Sequence, residues 1–203
     1  LLRTTGRSIP LWVRINPVQT DDALPDLAAV AAARPDGIVL PKARSGADLH
    51  RLDHWLEALE AQHGLAYGSI KVLALITEPA SAVLSGASFT TPPARVIGYT
   101  WGAEDLAADV GASANRTADG EFEFTFRLAR SSCLLMAAAA GIAAYDTTDI
   151  EFRDVAAVEH QCAVDPARGR EGQHQAARPM RQRPGLAGET PDAADAGAGE
   201  ADG

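Results

Sequence analysis

Lys71-Val-Leu-Ala-Leu-Ile-Thr-Glu78 and Arg95-Val-Ile-Gly-Tyr-Thr-Trp-Gly-Ala-Glu-Asp105 are the two stretches whose reading decides the fold of this chain. Each starts as a short run of aliphatic and β-branched residues, the composition of a buried strand. Each stops at carboxylates, Glu78 in the first and Glu104 with Asp105 in the second. If both runs are parallel strands of one barrel, these acids meet at the carboxyl rim, where such folds keep their active sites. Two hard oxygen ligands from separate strands, with the remaining positions left to water and substrate, is a usual way to hold Mg²⁺.

Three further runs repeat the pattern on either side. Leu11-Trp-Val-Arg-Ile-Asn16 alternates apolar and polar and ends at Pro17, as a strand does. Ile38-Val-Leu40 is a short buried strand closed by Pro41 and Lys42, and Ile142-Ala-Ala-Tyr145 is another, ending at Asp146. Between them lie helical patterns. One follows the cap candidates Thr20-Asp-Asp22, with Leu24, Leu27, Val30 and Ala31 at helical spacing. One is opened by Ser45-Gly-Ala-Asp48, a loose capping box, and carries Leu49, Leu52, Trp55, Leu56 and Leu59 in one stripe. Residues 80–88 and 106–110 read as short helices. Residues 115–123 read as a turn-bearing excursion around Asp119-Gly120. Thr125 to Ala140 is the longest helix, with Phe126, Leu128, Leu134, Leu135 and Met136 on its apolar sides and Gly141 as its C′ residue. A last helix is expected over Asp154–Gln161. Strands alternating with helices predict an α/β fold of repeated βαβ units with a parallel sheet. All five strands end in polar residues: Arg14 and Asn16, Lys42, Glu78, Asp105 and Asp146.

Composition narrows the function. The chain has 203 residues and a net charge of −9, which argues against a nucleic-acid partner, since phosphate neutralisation needs clustered Lys and Arg. No apolar run approaches the roughly 20 residues of a membrane helix, so no membrane partner is expected. Cys133 and Cys162 are too few for a disulfide framework and lack metal-ligand spacing, which suits a reducing cytoplasm. His50 and His54 stand i, i+4 on a helix without His-Glu-x-x-His chemistry, and read as surface residues.

Residues 163–203 differ from all that precedes them. Arg168, Arg170, Arg178, Arg181 and Arg183 give way to Glu189, Asp192, Asp195, Glu200 and Asp202 in an Ala/Gly background. A segment so poor in apolar residues cannot offset its ordering entropy. The domain plan is therefore a folded unit over residues 1–162 and a low-complexity, disordered tail over 163–203.

Trp12-Val-Arg-Ile-Asn16, Asp36-Gly-Ile-Val-Leu-Pro-Lys42, Ile76-Thr-Glu78, Gly102-Ala-Glu-Asp-Leu106 with Asp109 and Gly111, and Ala144-Tyr-Asp-Thr147 with Phe152-Arg-Asp154 occur in this order. Together they resemble the HpcH/HpaI aldolase and citrate lyase beta-subunit family, its CoA-ester lyase branch in particular. The resemblance covers roughly residues 8–160. It implies a TIM (β/α)8 barrel of the phosphoenolpyruvate/pyruvate type, present here as about five βα units. It also implies a Mg²⁺-dependent carbon–carbon lyase that splits a 3-hydroxy acyl-CoA ester, of the citryl-, citramalyl- or malyl-CoA type, into acetyl-CoA or a homologue and a 2-oxo acid. Carried over by position, Glu78 and Asp105 are the metal ligands, and Arg14 and Glu78 are the catalytic and substrate-contacting residues. Lys42 adds positive charge at the same rim or is held against a neighbouring carboxylate. Glu104 serves in hydrogen bonding around the site, and Asp146 hydrogen-bonds in the site or braces the strand-to-loop turn. An acyl-CoA is the expected partner, and the complete protein is expected to be a homo-oligomer.

The chain departs from the family at both ends. The family's opening strand, with its CoA-facing arginine loop, and its Asp-Leu-Glu-Asp strand are not present, and the start is expected upstream of Leu1. After about Glu159 the Ile-His-Pro segment is also missing. An Ala/Arg/Gly/Pro-rich replacement is what a shifted reading frame in GC-rich DNA produces, and the coding DNA would test this. Two alternatives stand beside the lyase reading: a non-catalytic remnant of such an enzyme, and a CoA-independent 2-oxo acid aldolase.

Overall fold

The computed structural model describes residues 9–147 together with Pro179–Met180. The helix expected at Asp154–Gln161, the Phe152-Arg-Asp154 segment and the tail, Pro179–Met180 excepted, lie outside the described residues. Strands form where the aliphatic runs predict them: β1 Trp12–Arg14, β2 Gly37–Leu40, β3 Lys71–Leu75, β4 Val96–Thr100 and β5 Ala143–Tyr145. They pair in sequence order, every neighbour parallel. Pro179–Met180 forms a sixth, two-residue strand, β6, antiparallel to β5.

Helices fill the crossovers: α1 Ala23–Ala31, α2 Gly46–Gln62, α3 Ala80–Leu84, α4 Ala103–Asp109 and α5 Phe124–Ala140. The helix expected over 80–88 divides into α3 and a 3₁₀ turn, Gly86–Phe89. Gly141 ends α5 at φ 69°, the left-handed C′ geometry that glycine adopts without penalty. At α2 the capping box does not form. Ser45 is the N-cap but makes no side-chain cap bond. Asp48 reaches back instead to the Arg44 N–H at 2.8 Å and accepts from Gln19 Nε2 at 2.7 Å. The aspartate side chain is one methylene shorter than the usual glutamate and takes the partners within reach.

The sheet has two unlike faces. Ile38, Leu40, Val72, Ala74, Ile76, Val96, Tyr99 and Ala144 are buried and share one core with Leu27 and Ala31 of α1, Leu49, Leu52 and Leu56 of α2, and Phe126, Ala129, Cys133 and Ala137 of α5. On the other face Arg14, Val39, Leu73, Gly98 and Ala143 stand in one register row, and Val39, Leu73, Leu75 and Tyr145 are only half-buried. Two glycines make room for aromatic rings there. A β-carbon at Gly37 would lie 2.3 Å from the Trp12 ring, and one at Gly98 would lie 2.5 Å from Tyr145. Sequential parallel strands with all helices on one face are what right-handed βαβ crossovers in an unreversed order produce. This arrangement brings every strand's carboxyl end to one rim. On α5, Leu128 and Leu135 face outward, 50% and 69% exposed, while Ala129, Cys133 and Ala137 face the sheet. The helix packs by Phe126, Met136 and these small residues, and the apolar stripe read from the sequence is wider than the buried one.

At the opposite edge of β4, Arg95 is buried and holds α2 to the sheet. Its guanidinium donates to Glu60 Oε1 and Oε2 at 2.8 and 3.1 Å and to the Ile70 carbonyl at 3.2 Å, and Nε reaches Asp53 at 2.5 Å. Glu60 also accepts from the Gly68 and Ile70 N–H groups. Burial alone would raise its carboxyl, but the Arg95 bonds and these two amides outweigh burial and hold it below the usual range. No helix among the described residues is long and apolar enough to cross a membrane.

Candidate metal centre

Three backbone features aim the carboxylates. β3 delivers Glu78, which is only 3% exposed, two residues beyond the last core position Ile76. Gly102, just before α4, lets Glu78 pack closely, because a β-carbon there would fall 2.9 Å from Glu78 Cγ. Asp105 then stands in the first turn of α4. Across the rim, Lys42 adopts φ 53°, a left-handed conformation uncommon for a residue with a side chain. That turn lets its N–H donate to Glu78 Oε2 at 2.5 Å, while its Nζ lies 2.9 Å from Asp105 Oδ1. Arg14 Nη2 lies 3.6 Å from Glu78 Oε1. One lysine thus touches both acids, one through its backbone and the other through its side chain.

The electrostatics divide the two acids. Burial pushes the Glu78 carboxyl up to about 7; a hydrogen bond shared with Asp105 and the Asp105 charge add to this, and the Lys42 N–H and Arg14 only partly offset it. For Asp105 burial also acts upward, but hydrogen bonds from Lys42 and Glu78 win and hold it below the usual carboxylate range. The two acids are thus pushed apart, Glu78 upward and Asp105 downward.

Lys42, Glu78 and Asp105, all singled out from the sequence, meet at one cleft, and Arg14, also singled out, pairs with Glu78 beside it. Lys42, Arg44, Glu78, Pro79, Ser81, Asp105 and Asp109 line it, around a volume of about 340 Å³. Two other strand-end residues have structural work. Asn16 gives its N–H and Nδ2 to Asp26 at 3.0 and 2.9 Å, tying β1 to α1. Asp146 accepts from Trp101 Nε1 at 2.7 Å, from Arg130 and from the Thr147 N–H, which braces the segment leading into Gly102. Glu104 is exposed and accepts from Asn115 Nδ2 at 2.8 Å, so its bond secures the 115–123 loop. His50 and His54 are exposed on α2.

Asp109, which has no assigned role in the sequence, accepts from the Ala80 N–H at 2.8 Å and pins the loop that carries Glu78. Arg44 carries no sequence signal beyond its place two residues past Lys42. The role of the Lys42 amide is not legible in sequence, because backbone direction at a non-glycine residue leaves no mark in composition.

The residues present fit Mg²⁺. Glu78 and Asp105 line one cleft from separate elements, which suits an ion that takes one or two carboxylates and fills its other positions with water and substrate. The Thr77 hydroxyl, next to Glu78 in the chain, is buried and has no hydrogen-bond partner among the described residues.

Known proteins resemble this chain in sequence and fold. The profile of the HpcH/HpaI aldolase/citrate lyase family matches residues 3–177. The citrate lyase subunit beta-like protein of Mycobacterium tuberculosis is 33% identical over 149 residues, 73% of this chain and 48% of that one. The malyl-CoA/beta-methylmalyl-CoA/citramalyl-CoA lyase of Chloroflexus aurantiacus is 33% identical over 113 residues, 54% of this chain and 32% of that one. The crystal structure of M. tuberculosis CitE in complex with magnesium, acetoacetate and coenzyme A superposes with a TM-score of 0.60 at 30% identity, over 74% of this chain and 50% of that one. The chain spans about half the length, or less, of the curated relatives it matches. With its sheet order, its rim of paired acids and a profile match over most of its length, the chain belongs to the HpcH/HpaI aldolase/citrate lyase family.

Proposed function

We propose that this chain carries the metal-binding rim of a Mg²⁺-dependent lyase that cleaves a 3-hydroxy acyl-CoA ester into an acyl-CoA and a 2-oxo acid. In this reading its five parallel strands are successive staves of a (β/α)8 barrel. The observation that carries the proposal is the convergence of Glu78 and Asp105 in one cleft, each beside a cation. Relatives named as CoA-ester lyases and a neighbour crystallised with magnesium and coenzyme A support the substrate class.

Glu78 and Asp105 hold Mg²⁺, which supplies Lewis-acid polarisation of the oxo acid's oxygens and a template for them. The bond that breaks joins the carbinol carbon to the carbon next to the thioester. The hydroxyl gives up its proton as its C–O becomes a carbonyl, and the bonding pair moves into the thioester enolate, which is protonated to the acyl-CoA. Arg14 reaches Glu78 yet keeps 56% of its side chain exposed. Its fork suits the developing oxyanion or a substrate carboxylate. The Lys42 N–H orients Glu78, and its ammonium keeps Asp105 charged. Burial of Glu78 limits water around its carboxyl, and the Lys42 N–H and Arg14 offset its charge only in part.

Calorimetric titration of this chain with Mg²⁺ tests the assignment. Glu78→Gln and Asp105→Asn each keep the side-chain shape and remove a charge, and each should abolish Mg²⁺ binding and any citramalyl-CoA cleavage. Full metal affinity in both variants would refute the site.

A further inference from the structure

We infer that Arg44 sets the charge preference of this cleft, selecting a dianionic 2-oxo acid over a monoanionic one. The inference rests on the lyase reading above and adds a specificity-determining residue to it. Arg44 lines the cleft with Glu78 and Asp105. The other two cations at the rim are already engaged, Arg14 with Glu78 and Lys42 with Asp105. Arg44 differs from both. Its side chain is exposed and its guanidinium makes no ion pair or hydrogen bond with any described residue, while its backbone is fixed by the Asp48 carboxylate at 2.8 Å. The side chain thus starts from an anchored backbone beside a space of about 340 Å³, within the range of small-molecule sites.

Charge counting points the same way. Glu78, Asp105 and Asp109 line the cleft with Lys42 and Arg44, and Arg14 pairs with Glu78 beside it, three acids against three cations. A divalent ion on the carboxylates leaves a surplus of two positive charges, the complement of a dicarboxylate. Without Arg44 the surplus is one, the complement of a monocarboxylate. An arginine fork binds a carboxylate through two parallel hydrogen bonds, so it reads the second carboxylate of an oxo diacid and makes no use of a methyl group at that position.

The test is calorimetric titration of the Mg²⁺-loaded 203-residue chain with oxaloacetate and with pyruvate, for the unaltered protein, Arg44→Gln and Arg44→Lys. The unaltered chain should bind oxaloacetate about tenfold more tightly than pyruvate, a difference of about 1.4 kcal/mol. Arg44→Gln should remove that difference by weakening oxaloacetate alone, with pyruvate affinity changed less than about twofold, and Arg44→Lys should restore part of it. Equal affinity of the unaltered chain for both acids, or an equal loss of both in Arg44→Gln, would overturn the role of Arg44 while leaving the lyase reading intact. Mg²⁺ binding with no binding of either acid would overturn the lyase reading and this inference with it.

Discussion

Glu78 is an acid that holds its proton to about pH 7, and burial is the main reason. The sign of the pH dependence follows. Between the ordinary value of 4.5 and about 7 the metal-free folded chain keeps a proton that the unfolded chain has lost, so stability falls as pH rises through that window. Mg²⁺ needs the carboxylate and must displace the proton. Its affinity should therefore climb about tenfold per pH unit below 7 and level off above it, as read by titrations at pH 6, 7 and 8. A flat profile would show that Glu78 is already ionised. Lys42 is the residue that makes the pair possible. It spends a left-handed conformation, disfavoured by about 1 kcal/mol or more, to place its amide on one acid and its ammonium on the other.

At the scale of elements, the rim and the base of the sheet do different work. The rim loops carry the paired acids, and their bonds to Asp109 and Asp146 fix those loops to α4, β4 and α5. The base is locked by Arg95, which links the start of β4 to Asp53 and Glu60 of α2. Removing the cation from a buried cluster leaves uncompensated carboxylates, which costs about 3–5 kcal/mol. Arg95→Met should lower the urea midpoint accordingly. Mg²⁺ affinity of the folded fraction should hardly change, because Arg95 begins β4 while Glu78 and Asp105 lie past the far ends of β3 and β4. A Mg²⁺ loss equal to that of Glu78→Gln would show that base and rim are one cooperative unit.

For the molecule as a whole, the two faces of the sheet set the terms of stability. One is buried under α1, α2 and α5; the other carries half-buried Val39, Leu73, Leu75 and Tyr145. A ligand that bridges β3 and α4 at the rim ties together segments that are not consecutive in the chain. At a hundred times its dissociation constant, Mg²⁺ should stabilise the folded state by about 2.7 kcal/mol, a rise of several degrees in Tm for a domain of this size. A thermal scan with and without Mg²⁺ measures this, and Glu78→Gln should show no such rise.

Most of the fold was legible along the chain. Strand runs, helical stripes and the Gly141 stop follow from side-chain periodicity and glycine's tolerance of positive φ, both local properties. All five strands and their parallel pairing were read from the alternation of elements, Glu78 and Asp105 were read from where two of those strands stop, and Arg14 entered as a site residue through the family resemblance. The partners of each polar group were not legible. Asn16 and Asp146 look like Glu78 in sequence, yet one caps into Asp26 and the other binds Trp101 and Arg130. Arg95 looks like an ordinary strand opener, and Arg44 like a loop residue. Whether a strand-end charge is neutralised by the protein or left for a ligand depends on which distant residues the packing brings within about 3 Å. That is a property of the assembled sheet and helices, and no local pattern records it.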